Sequence, residues 1–131
     1  IRPWQHVLDC LNGYLLASEY AYKSKKTFNS WNFSPPLKDQ ISVIKFVKNI
    51  ISNFNYPIKK IIIGKRKFYE SARLNLVSKK ANKEIKWKTI LTQKNVILFL
   101  VEWYKAYYRK DKMKIFSTNQ ILNFYKIAKG K

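Results

Sequence analysis

Apolar side chains recur at helical spacing in four stretches of this 131-residue chain. From about Asp9 to Tyr22, the positions Leu11, Leu15, Ser18 and Tyr22 fall on one stripe, and Asp9 is placed to cap the start. The stretch PPLKDQISVIKFVKNIISNF opens on Pro35 and Pro36 and sets Leu37, Ile41, Ile44, Val47, Ile51 and Phe54 at helical intervals before Pro57 ends it. A third helix is predicted from about Thr92 to Tyr108. Its VILFLVEWY section is apolar around most of its circumference, which predicts burial between layers. The fourth begins at STNQ, where Ser117 and Gln120 have the spacing of a capping box, and continues through Ile121, Phe124 and Tyr125.

Short strand candidates lie between these helices: RPWQHV near the start, SWNF, KKIII at 59–63 and RLNLV at 73–77. Their alternation with helices predicts an α/β or α+β organisation, and the length fits one domain over residues 1–131. None of Gly13, Gly64 and Gly130 sits in a Gly-rich strand-to-helix turn, so the chain offers no dinucleotide-binding loop of its own.

Charge changes the picture next. The formal net charge is +20, yet residues 1–22 hold only Arg2 against Asp9 and Glu19. Such a basic balance attracts nucleic acid or anionic membrane surfaces. However, the cations are almost all lysines, and Lys, Ile, Asn, Tyr and Phe make up half of the chain, the usage that an A/T-rich genome imposes on solvated faces. The lysines are scattered through KSKK, GKRK, KKANKEIKWK and RKDKMK, without the fold signature of a dedicated binder. Nucleic acid is therefore the rival reading and not the favoured one. The longest apolar run, Val96 to Val101, is far shorter than a membrane span; a soluble, cytoplasmic protein without a membrane partner is expected. Cys10 and His6, one of each residue type, do not make a disulfide or a zinc site by themselves.

The opening IRPWQHVLDCLNGYLL resembles a segment of CDP-glucose 4,6-dehydratases, extended short-chain dehydrogenase/reductase enzymes, that reads approximately Arg-Pro-Trp-Gln-His-Val-Leu-Asp/Glu-Pro-Leu-x-Gly-Tyr-Leu. In the same order, WNFSP at 31–35, YESARLNLVSKKANKEIKW at 69–87 and VEWYKAYYRKDKMKIFSTNQILNFY at 101–125 resemble later family segments. The resemblance implies the C-terminal substrate-binding part of such an enzyme, with about four main helices and short strands and without the Rossmann core. Family members bind NAD on an N-terminal Rossmann domain, oxidise the glucose at C4, eliminate water across C5 and C6, and return the hydride to C6, a step in deoxysugar and surface-polysaccharide synthesis. The cofactor loop and the catalytic Tyr-x-x-x-Lys pair belong to that N-terminal part, so the chain alone is expected to be inactive. Three local matches, Tyr22 with Lys26, Tyr56 with Lys60 and Tyr108 with Lys112, are at the level that chance supplies in so Tyr- and Lys-rich a sequence.

By this resemblance the partner is a nucleotide sugar, CDP-glucose first, with homo-oligomerisation through N-terminal helices; another nucleotide-sugar epimerase or dehydratase is the near alternative. Recognising a diphosphate favours Arg, whose planar fork donates two parallel hydrogen bonds where Lys offers a point charge. Arg2 matches the Arg of the opening motif, and Arg73 falls where related dehydratases carry a phosphate-binding Arg. Gln5, Tyr69 and Glu70 are lining residues by the motif match, whereas Arg66 and Arg109 match no motif position. Trp4 and His6 are expected to pack and hydrogen-bond, and Trp31, Trp87 and Trp103 to anchor the core or a lobe interface. The sequence departs from the pattern at Cys10 for Pro, Ser34 and Lys86 for Gly, and Val77 for Asp. Lys86 is expected to cost about 1 kcal/mol if its backbone is left-handed, and Ser78 to take over as cap of the SKKANKEI helix.

Overall fold

In the computed structural model, residues 1–25, 29–55, 61–62, 64 and 71–130 are described, and they form five α-helices, one 3-10 turn and a single isolated β-bridge. The helix expected from Thr92 is α4, Gln93–Tyr108, and the Thr92 hydroxyl accepts a hydrogen bond from the Asn95 N–H at 3.3 Å. Its apolar circumference is used as the pattern requires. Val96, Ile97, Phe99 and Val101 are buried together with Ile41, Phe46, Leu91 and Phe124. α2, Val43–Phe54, and α5, Met113–Lys129, both pack against α4, bringing Ile50, Phe54 and Ile127 to this cluster.

A second cluster forms where α1, Val7–Ser24, meets α3, Lys79–Ile85. Ala81, Ile85 and Trp87 are buried there, covered by Leu16, Ala17 and Tyr20 of α1 and by Trp31 and Phe33. α3 ends as its sequence suggested: Lys86 is left-handed, φ 57°, and its N–H reaches the Ala81 carbonyl. Gly13 faces Phe33, and a Cβ there would lie 2.8 Å from the ring, so the helix needs a glycine at this point for the close approach.

Three helix starts differ from the sequence reading. α1 begins at Val7 with His6 as its cap, and Asp9 is fully buried two residues inside the helix, not at its edge. The Pro35–Pro36 pair leads only into the 3-10 turn Leu37–Asp39; the chain then re-extends, and α2 starts after Ser42, whose hydroxyl accepts from the Lys45 N–H. Leu37 is solvent-exposed and Ile41 is drawn out to pair with Arg2, so neither holds the helical face that the spacing suggested. α5 starts one turn before STNQ. Ser117 and Gln120 serve as inter-helix partners there: the Trp103 Nε1–H donates to the Ser117 hydroxyl and the Gln120 amide donates to the Phe99 carbonyl.

The strand expectation is corrected in the described residues. Among the described residues SWNF and RLNLV join no ladder, RPWQHV contributes only the antiparallel bridge of Arg2 with Ile41 before α1 begins at its Val7, and no other bridge forms. Side chains take the place of a neighbouring strand. The Gln40 amide donates to the Pro35 and Leu76 carbonyls, the Ser34 N–H donates to the Ser78 hydroxyl, which in turn donates to the Ser34 carbonyl, and the Gln5 amide donates to the Phe33 carbonyl. These clamps satisfy buried main-chain groups that would otherwise demand a sheet. Lys59, Lys60 and Ile63 of KKIII lie outside the described residues. No helix among the described residues is long and apolar enough to cross a membrane.

Candidate functional site

The opening motif folds back across the chain. The Arg2 N–H donates to the Ile41 carbonyl at 3.0 Å, and the Leu74 N–H donates to the Ile1 carbonyl at 3.1 Å. The Arg2 guanidinium donates to the Ile1 carbonyl at 2.8 Å and to the Ser71 carbonyl at 3.1 Å. Backbone carbonyls thereby fix the plane of the fork beside residues 71–74, a pre-orientation that a flexible lysine would lack. Arg2 and the segment that carries Arg73 are brought together from opposite halves of the sequence. Arg73 itself is exposed, and its carbonyl accepts from the Ser71 hydroxyl at 2.8 Å. Tyr69 and Glu70 lie outside the described residues.

Gln5 is half-buried, and while its amide nitrogen holds Phe33, its Oε1 is buried with no hydrogen bond from the described residues. Trp4 next to it stacks on Phe46, with ring centroids 4.2 Å apart and planes within 1°, and its Nε1 is likewise buried without a partner. Trp4 packs as expected, but its indole makes none of the expected hydrogen bonds among the described residues. His6 is a cap: its Nδ1 accepts from the Leu8 N–H at 3.3 Å and its ring meets the edge of Phe99. Burial holds the His6 imidazole below its ordinary pKa and favours the neutral form. A neutral acceptor is what the cap needs.

Residues that sequence reasoning missed surround this region. Ser34 is buried and accepts from the Gln40 amide while donating to the Leu76 carbonyl. Ser78 spends its hydroxyl on Ser34 and makes no capping bond to α3, so the expected takeover of the cap does not occur. The pairing of a new Ser at 34 with Ser78 was the available signal, and only the fold shows that 44 residues of separation close on it. Of the three tryptophan anchors, Trp87 is 2% exposed, with its Nε1–H on the Asp9 carbonyl. Trp31 is half-buried and donates to Glu84, and Trp103 is half-buried against α5.

The arrangement is a set of chain segments held around an oriented guanidinium, and it contains no acid–base pair among the residues described. Tyr108 ends α4 and Lys112 follows the turn, so they do not share one helical face; Lys26, Tyr56 and Lys60 lie outside the described residues. Gly13 is packed inside α1 and Gly130 ends α5, and neither opens a phosphate-cradling loop.

Aligned with known proteins, this sequence is similar to CDP-glucose 4,6-dehydratase of Salmonella typhimurium. The two are 30% identical over 125 residues, which are 95% of this chain and 35% of that enzyme. The chain thus spans about a third of the length of the curated relative it matches. No protein-family model matches it.

Proposed function

We propose that this chain is the C-terminal, substrate-binding part of a nucleotide-sugar 4,6-dehydratase, most like the CDP-glucose type. The observation that supports it best is an alignment that runs through nearly the whole chain, and the orientation of the motif's Arg2 beside the segment that bears Arg73 agrees with it. In this reading Arg2 and Arg73 meet the diphosphate, with Arg2 held ready by its carbonyl contacts. Gln5, Tyr69 and Glu70 line the sugar nucleotide. The buried Gln5 Oε1 is an acceptor of the kind that sugar hydroxyls satisfy. NAD and the proton-transferring pair would belong to a Rossmann domain outside these residues, so the isolated chain binds and does not turn over. The same reading places the protein in the cytoplasm, as one domain over 1–131 that joins a homo-oligomer through that other domain.

The test is titration calorimetry of the chain with CDP-glucose, then with dTDP-, UDP- and GDP-glucose. Weak binding that prefers CDP-glucose and falls about tenfold in Arg2→Ala, the effect of one charge-assisted phosphate contact, is the expected result. Equal affinity in parent and Arg2→Ala would remove Arg2 from the site, and a preference for another nucleotide would move the assignment to a sister dehydratase or epimerase.

A further inference from the structure

The end of α4 and the turn into α5 carry a surface that nucleotide-sugar binding leaves unused. Tyr104, Tyr107 and Tyr108 stand at i, i+3 and i+4, so the helix gathers them on one face, and they are 40%, 54% and 71% exposed. Trp103 supports them from behind. It stacks on Tyr107 with centroids 5.6 Å apart and planes within 7°, and meets Tyr104 edge-on at 5.3 Å. Tyr108 touches Tyr107 at 5.8 Å and Tyr104 at 6.3 Å. Each ring is steadied by another, while Tyr107 and Tyr108 keep much of their surface in solvent. An exposed aromatic cluster of this size is uncommon on a surface that meets only water.

Charge surrounds the rings. Between 104 and 114 the chain carries Lys105, Arg109, Lys110, Lys112 and Lys114 against Asp111. Asp111 engages Arg109 at 2.8 Å, and Glu102 engages Lys105 at 3.5 Å. Lys110, Lys112 and Lys114 make no ion pair among the described residues. Lys110 is set in a left-handed turn, φ 61°, and shares a concavity with Tyr107 and Tyr108, while Lys112 and Lys114 follow it along the chain into α5. Tyr107, Tyr108, Lys110, Asp111 and Met113 line one open concavity of about 460 Å³.

We propose that this face binds single-stranded nucleic acid, with bases stacking on Tyr107 and Tyr108 and the backbone phosphates following Lys110, Lys112 and Lys114. Exposed ring faces match unpaired bases, because every base offers a π-face and a duplex keeps its own stacked inside. The unpaired lysines match the regular charge of the strand. The partner is thus argued from the exposed rings and Lys110 of one concavity, with Lys112 and Lys114 next to it in the chain, and the general charge of the molecule is not needed to argue it.

The experiment titrates the full chain into a fluorescein-labelled single strand of about 12 mixed pyrimidine nucleotides, followed by anisotropy. Tyr108→Ala changes no charge and removes a ring that is mostly in solvent, so its far-UV circular dichroism should match the parent. Its affinity is expected to fall about fivefold or more, with Tyr108→Phe within about twofold of the parent. Lys110→Gln with Lys112→Gln is expected to lower the affinity and to reduce the slope of log K against log salt by about 1.4. Lys45→Gln with Lys48→Gln, which removes the same charge from α2, should change the affinity by less than about twofold. A loss from the α2 pair as large as from the turn pair, or no response to Tyr108→Ala, would overturn the proposal and assign binding to overall charge. Binding to phosphatidylserine vesicles without binding to the oligonucleotide would overturn it as well.

Discussion

At the scale of one residue, Lys86 is the clearest case of a side chain held against its backbone preference. It ends α3 at φ 57° and ψ 20°, and its Nζ returns to the Lys83 carbonyl at 3.3 Å. A Cβ in this region costs about 1 kcal/mol relative to glycine, and one exposed hydrogen bond offsets little of that. Lys86→Gly is therefore expected to raise the melting temperature by about 3–5 °C in a chain of this length, measured by circular dichroism. An unchanged melting temperature would mean that the Lys83 contact recovers the strain. This residue was legible through the resemblance, which sets a glycine at the position where Lys86 stands, and a glycine after a helix marks a left-handed stop. Asp9 was not. A carboxylate near a helix start looks the same on paper whether it caps that helix or accepts from N–H groups at residues 90 and 91.

At the scale of elements, the boundaries depend on partners that lie far along the chain. α4 was legible because its cap and its apolar faces are both local properties. α2 and α5 were displaced because Ile41 and Ser117 are engaged elsewhere, by Arg2 and Trp103. Strand-like composition likewise predicted strands that the Ser34, Gln40 and Ser78 side chains make unnecessary. For α1 the cap gives a pH dependence. An unfolded His takes up its proton near pH 6.5, whereas His6 in the fold has a lowered pKa because burial disfavours the cation. The unfolded state thus binds more protons between these values, so stability is complete above about pH 7 and declines as the pH falls through 6.5 toward the lowered value. Protonation of Nδ1 also removes the acceptor for the Leu8 N–H. The urea midpoint is expected to drop between about pH 7.5 and pH 5.5, and His6→Asn, which keeps a capping acceptor without a titration, should flatten that drop. An equal slope in both proteins would assign the dependence to other groups.

At the scale of the whole molecule, the low charge of residues 1–22 acquires a purpose. α1 delivers the buried Asp9, whose Oδ1 accepts from Ile90 N–H at 2.7 Å and whose Oδ2 accepts from Leu91 N–H at 3.3 Å, while its carbonyl takes the Trp87 indole N–H. Trp87 belongs to the smaller apolar cluster and Leu91 to the larger, so Asp9 is the joint between them. Asp9→Ala removes the carboxylate that accepts from the Ile90 and Leu91 N–H groups and is expected to cost about 3 kcal/mol by urea unfolding. Tryptophan fluorescence and helical ellipticity should shift together, because both clusters lean on the one residue; separate transitions would show two independent units. The candidate site was legible as far as Arg2, through a motif, and its oriented geometry was not, since it depends on Ser71 meeting Arg2 from 69 residues away.

That separation has a consequence in time. α4 and α5 are tied by bonds spanning 14 and 21 residues, whereas the contacts around Arg2, Ser34 and Gln40 span 69, 44 and 36. Closing long loops costs more entropy before any contact repays it. The helical pair is therefore expected to form early, and the Arg2 end to be assembled among the last steps. A ligand seated there would meet nothing to hold in the folding transition state. It would prolong the lifetime of the finished molecule and leave its rate of formation unchanged.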